Sequence, residues 1–163
     1  MFSLCVLVLT LLVSAVQASS SSSGPGNHNY ELSGQALRDL YNSPVYKAEL
    51  MYRPFSSSSS AVGPGSHSGV RVTLGSGSQW LIHKGMDYGI DSQTVVVSAD
   101  HMSPNWKTLI TRDFGGTRTV ADFVITGGYT YSYLQNCHVA STCMMLQSRT
   151  PTTLFPFCHF FCN

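Results

Sequence analysis

An α+β fold, with a small antiparallel sheet packed against helices, is what this sequence predicts. Three observations carry that expectation. Apolar residues recur at helical spacing between positions 32 and 41. Short β-rich runs separated by glycine turns fill the middle of the chain. A second helical pattern with an apolar side begins at Cys137. The element order is therefore helix, sheet, helix.

The first helix rests on Leu32, Ala36, Leu37, Leu40 and Tyr41. Asn42-Ser43-Pro44 stops it, because proline cannot continue a helix and restricts the residue before it. Val45 to Tyr52 places Tyr46, Ala48, Leu50 and Tyr52 on one alternating face, a pattern that suits a strand or a second short helix. From Gly69 the alternation is cleaner, with Val70, Val72 and Leu74 set against Arg71 and Thr73. A second strand covers Gln79 to His83, with Trp80 and Ile82 as its apolar positions, and a third covers Gln93 to Val97. A fourth covers Thr108 to Arg112 and is closed by Gly115-Gly116. Val120 to Ile125 is a short helix ended by Gly127-Gly128. After the extended aromatic stretch Tyr129 to Tyr133, a final helix covers Cys137 to Gln147, with Ala140, Met144 and Met145 on its buried side.

The turn after Leu74 decides which side chains share a face. A three-residue Gly75-Ser76-Gly77 loop with a left-handed glycine pairs Leu74 with Ser78, Val72 with Trp80 and Val70 with Ile82. The apolar residues then face a core together. His67 and His83 fall on the other face as near-diagonal neighbours. A two-residue Ser76-Gly77 turn would shift the register by one and separate the histidines.

The 163 residues are enough for one domain with a core. A net charge of +1 with no Arg or Lys stripe gives no footprint for nucleic acid. Residues 1–18 form an expected signal peptide: Phe2 to Val13 is almost wholly apolar, and Val16-Gln17-Ala18 offers small residues at the cleavage positions. The run is too short to span a bilayer. The expected product is secreted, with no stable membrane anchor after cleavage. Residues 19–29 form a flexible Ser/Gly-rich tail, 30–55 an N-terminal helical segment, and 56–66 a Ser/Gly/Pro-rich linker or loop. Residues 67–149 carry the main domain, and 150–163 a Cys/Phe-rich tail.

Beyond the signal, four cysteines remain: Cys137, Cys143, Cys158 and Cys162. All lie near the C-terminus and cannot staple the rest of the chain, so a packed core must hold it. Cys137 and Cys143 are turned apart on one helix, which leaves Cys158 and Cys162 as the better pair for a disulfide. Cys137 has a different character. It follows Asn136 where a helix begins, and a helix start offers unpaired N–H groups and partial positive charge. Both favour the thiolate, the reactive form. His67 and His83 would complete the chemistry of a nucleophile. The same three residues are zinc-type ligands, but they lack a fourth partner and any short-spaced pair. No cofactor or metal is expected.

His67-Ser68-Gly69-Val70-Arg71-Val72-Thr73-Leu74, then Gln79-Trp80-Leu81-Ile82-His83, then Tyr131 to Asn136-Cys137-His138 resembles the circularly permuted NlpC/P60 group of papain-like thiol enzymes, which includes the lecithin:retinol acyltransferase-like enzymes. The similarity spans about Gly65 to Gln147. It implies a permuted papain-like architecture, with Cys137 as nucleophile, His67 as general base and His83 as the residue that orients His67. It implies a small acyl or peptide-type substrate, whose ester or amide carbonyl is attacked to give a thioester. Backbone N–H of Cys137 would be one oxyanion donor. Trp80, Tyr88, Trp106 and Tyr129 would line the groove where they point outward, but some of them are expected to be core instead, since large aromatics dominate burial in small domains. The chain departs from the acyltransferases in its longer hairpin and in His138, which stands where those enzymes commonly have Glu-His. The alternative function is a secreted binding or structural protein that keeps the fold without activity.

Overall fold

The structure is a computed structural model, and it describes residues 32–55, 65–85 and 94–148. Residues 1–31, with the expected signal peptide and tail, lie outside the described residues, as do 56–64, 86–93 and 149–163.

The fold is α+β. Helix α1 (Gly34–Asn42) leads into β1 (Pro44–Pro54), followed by β2 (Ser66–Leu74), β3 (Gln79–Lys84), β4 (Thr94–Ser98) and β5 (Lys107–Thr119). Helices α2 (Val120–Gly127) and α3 (Cys137–Leu146) complete the described chain. The five strands form one sheet in the order β4-β3-β2-β1-β5. Every neighbouring pair is antiparallel.

The stretch 30–55, expected to be helical, is helix only as far as Asn42. Its second half is β1, which pairs with β2 on one edge and β5 on the other. That double pairing resolves the choice between strand and helix at Val45 to Tyr52: both rows of backbone groups are taken by neighbouring strands. It also makes the first segment part of the same sheet as the rest. The alternating face differs from the expected one at its start, because the register shifts between Val45 and Lys47. Val45 is buried and Tyr46 exposed, while Ala48 stays inside. Ser66, counted with the linker from sequence, is the first residue of β2.

β5 is longer than its sequence suggested. Gly115-Gly116 does not close it; the strand runs on to Thr119. Lys47 pairs with Asp113 and Val45 with Arg118, so the intervening β5 residues form a bulge. Gly115 and Gly116 take positive φ of 58° and 76° there. The bulge turns Phe114 fully inward, edge-on to Phe123 at 5.1 Å. Thr119 then caps α2 in a reciprocal box with Asp122, and Gly128 ends the helix at φ 74°.

The β2–β3 register is the one that the apolar pattern requires: Val70 with Ile82, Val72 with Trp80, and Gly69 with His83. Leu74 N–H donates to Ser78 O at 3.0 Å, and Gly77 holds φ 86° in the turn. Val45, Ala48, Val70, Val72 and Ile82 therefore meet Phe114, Val120 and Phe123 and the Ala140, Met144 and Met145 side of α3 in one core. Met51, Leu81, Val97 and Trp106 form a smaller cluster. Among the described residues, no helix is long and apolar enough to cross a membrane.

Truncating a fully buried phenylalanine removes transfer energy and leaves a cavity. Phe123→Ala should lower the unfolding free energy by about 3–5 kcal/mol in urea titrations with an unchanged m-value. A loss under about 1 kcal/mol would show that Phe123 does not anchor the bulged strand.

Candidate active site

The site is built where α3 starts beside the first residues of β2. Asn136 caps the helix: its Oδ1 accepts from the N–H groups of His138 at 3.0 Å and Val139 at 3.1 Å. Its Nδ2 donates to the Tyr133 carbonyl at 2.9 Å. Cys137 is thereby fixed as the first residue of α3. The helix is clamped along β2 by two polar contacts. Ser141 Oγ meets Ser68 Oγ at 2.9 Å, and His138 Nε2 donates to the Ser66 carbonyl at 3.0 Å.

His67, the second residue of β2, is buried with Cys137 and His83. His67 Nε2 lies 3.0 Å from His83 Nδ1, with the rings edge-on at 87°. The hairpin register makes this pairing, because His83 stands opposite Gly69, two residues beyond His67. Gly69 leaves the room: a Cβ there would stand 2.8 Å from His83 Cβ. Trp106 packs edge-on to His67 at 5.6 Å, and the Arg53 guanidinium lies over the Trp106 ring, 5.6 Å from its centroid. Nε2 of His67 is thus held by His83, and the His67 side chain acts on the Cys137 thiol as well.

Electrostatics favour an ionised sulfur. Burial alone would raise the Cys137 pKa. Hydrogen bonds from the His138 and His67 side chains, the His67 charge and the Ser68 backbone N–H outweigh burial and bring it down from 9.0 to about 5. His83 is held neutral: burial, then the charges of His67 and Arg53, push its pKa from 6.5 down to about 3. The Tyr131 hydroxyl points at Cys137 Sγ from 3.9 Å. Burial and the facing sulfur charge raise its pKa, which keeps it a donor.

Cys137 opens onto a cavity of about 830 Å³. Its apolar wall is Leu50, Tyr52, Phe55, Leu109, Tyr131 and Tyr133. The aromatics named from sequence do not form this wall, and two of them are core instead. Trp80 packs against the main core, Trp106 is buried beside His67, and Tyr129 is exposed away from the cavity. Tyr88 lies outside the described residues. The stretch Tyr129 to Tyr133 is irregular rather than extended.

The structure brings Cys137, His67 and His83 together in that order. Two neighbours had no assigned role from sequence: His138, adjacent to the cysteine, and Tyr131, within the aromatic stretch. Adjacency to Cys137 was the available signal for His138; nothing in the spacing pointed Tyr131 at the sulfur. No disulfide joins Cys137 to Cys143; Cys158 and Cys162 lie outside the described residues. Among the described residues, no group of three or more His, Cys, Asp or Glu side chains is placed to hold a metal ion. No family model, curated protein or solved structure matches the chain.

Because the thiolate is the reactive form, iodoacetamide labelling of Cys137 should accelerate with rising pH through an inflection near 5 and be lost below it. An inflection near the ordinary thiol value of about 8.5 would contradict the arrangement. His83 adds an acid sensitivity. Its folded pKa lies below its unfolded value, so the unfolded chain binds the extra proton, and stability falls as pH drops from 6.5 towards 3. Denaturation between those pH values should show a loss on the order of a few kcal/mol, reduced in His83→Gln.

Proposed function

We propose that this chain is a secreted thiol hydrolase or acyltransferase that acts on an ester or amide carbonyl through a thioester at Cys137, on a permuted NlpC/P60-like, papain-like scaffold. One observation carries the reading: Cys137 opens α3 and is buried with His67, whose Nε2 is held 3.0 Å from His83 Nδ1. A nucleophile, a base and a group that orients the base are the minimum for this chemistry.

The tautomers follow from the roles. With the His67 proton on Nε2, donated to His83 Nδ1, the Nδ1 lone pair of His67 takes the thiol proton. The thiolate attacks the carbonyl carbon; the C–S bond forms and the π pair moves onto oxygen. The oxyanion is stabilised by the Cys137 backbone N–H and the Tyr131 hydroxyl. On collapse the carbon–heteroatom bond breaks, and the departing alkoxide or amine takes the proton from His67. Water or an acceptor hydroxyl or amine then gives its proton to His67 and attacks the thioester, and the sulfur leaves as thiolate. The apolar cavity wall supports an uncharged acyl or side-chain group beside the carbonyl.

A second reading, a secreted binding protein that retains the fold, is favoured by the low exposure of Cys137, 4%. Activated acyl esters, short-chain phospholipids and peptide amides distinguish the two. Turnover with acyl-Cys137 trapped by mass spectrometry is the expected result. His67→Ala should lower kcat/KM by about 10²–10⁴-fold, the usual worth of a general base, and His83→Ala by less. Turnover unchanged in Cys137→Ala, or none on any substrate, would overturn the enzyme reading.

A further inference from the structure

We infer that a bulge in β5 makes Leu109 the specificity-determining residue of the cavity, selecting an uncharged apolar chain on the substrate carbonyl. The inference deepens the proposed function and rests on Cys137 as the reactive group of that cavity.

The faces of β5 can be read residue by residue. Ile110 stands opposite Leu50 and Thr108 opposite Met51, so between these pairs β5 has one residue more than β1, Leu109. Directly opposed residues share a face of the sheet. Thr108 is therefore on the Met51 side, where its Oγ1 donates to Met51 Sδ at 3.2 Å. Ile110 is on the Leu50 side. In a regular strand Leu109, next to Ile110, would fall on the Met51 face, with the cluster of Leu81, Val97 and Trp106. Instead it lines the cavity together with Leu50. Consecutive side chains on one face mark a bulge, and bulges beside reactive sites re-aim a side chain.

The placement matters because of the strand order. β1 lies between β2 and β5, and Cys137 starts α3 beside the first residues of β2. The apolar wall therefore runs from the sulfur across Leu50 and Tyr52 of β1 to Leu109 of β5. That is two strand spacings, about 10 Å. Among the described residues that line the cavity, none is Asp, Glu, Lys or Arg. The hydroxyls of Ser68 and Ser141 are engaged with each other at 2.9 Å. A methylene chain gains contact along this wall, whereas a charge on it loses water and meets no counter-charge.

Maleimides test the wall without a substrate. The thiolate adds to the ring double bond, a C–S bond forms, and the neighbouring carbon takes a proton from water; nothing leaves. The readout is the rate of Cys137 modification, followed by mass spectrometry of its peptide and divided by the same reagent's rate with mercaptoethanol. N-hexylmaleimide should outpace N-methylmaleimide, by about two- to fourfold for each methylene that the wall buries. Maleimidopropionic acid should lag N-propylmaleimide by about tenfold or more. Taking hexyl relative to methyl within each variant cancels any change in sulfur ionisation. Leu109 is 43% exposed, so its replacement spares the core. Leu109→Ala should lower the hexyl preference by about threefold or more, and Leu109→Lys should favour the carboxylate reagent. Ile110→Ala, beside the bulge but off the wall, should keep the wild-type preference. A wild-type rate indifferent to chain length, a hexyl preference retained in Leu109→Ala, or an equal loss in Ile110→Ala would overturn the inference. Alkyl preference without turnover on any carbonyl substrate would sink the enzyme reading and spare this one; acyl-Cys137 with a flat alkyl series would do the reverse.

Discussion

The register between β2 and β3 is the constraint on which the rest depends. Side chains alternate across a strand, so a slip of one residue would exchange the faces of the whole hairpin. Val70 and Ile82, both fully buried, would turn away from the core, and the 3.0 Å contact between His67 and His83 would be lost. The Gly75–Gly77 turn sets this register and the apolar pairs hold it. Stability and the candidate chemistry therefore have one origin: the pairing that buries Val70, Val72 and Ile82 is the pairing that lines up the histidines.

The placement of α3 is the second level. Its apolar side, with Ala140 and Met144, drives it onto the sheet, but apolar packing is non-directional and does not fix where along β2 the helix begins. The polar contacts do. Ser141 on Ser68 and His138 on the Ser66 carbonyl are one helical turn apart and set the axial position of Cys137. Each buries polar atoms that would be costly without a partner. Asn136 completes the arrangement by occupying two of the N–H groups that the helix start leaves open. Elsewhere the same rule holds for Lys84, 1% exposed, whose Nζ donates to the Gly127 carbonyl at 2.8 Å.

Burial pushes a thiol toward its neutral form and a histidine toward its neutral form. At this site the two groups diverge. Cys137 is pulled towards ionisation by donors on three sides, while His83, deeper and facing other positive charge, stays neutral. A neutral His83 can accept from His67 without competing for the proton that His67 carries. The deepest ring, 1% exposed, is the one that burial holds neutral.

Much of the fold was legible in local pattern. Helical spacing gave α1 and α3, alternation gave β2 and β3, and Asn136 before Cys137 marked the helix start that makes the cysteine distinctive. These features are written in residues close together in the chain, where period and capping act. The histidine pair was legible too, because a short turn couples neighbouring strands. Tertiary structure alone decided the remainder. Val45 to Tyr52 became a strand because β2 and β5 claim both its edges, and Gly115-Gly116 became a bulge because Phe114 has a pocket to fill against Phe123. Tyr131, His138 and the cavity wall of Leu50, Tyr52 and Leu109 were assembled from segments far apart in the chain. No local period encodes such contacts: their energy arises only when α3, β1, β2 and β5 have already packed.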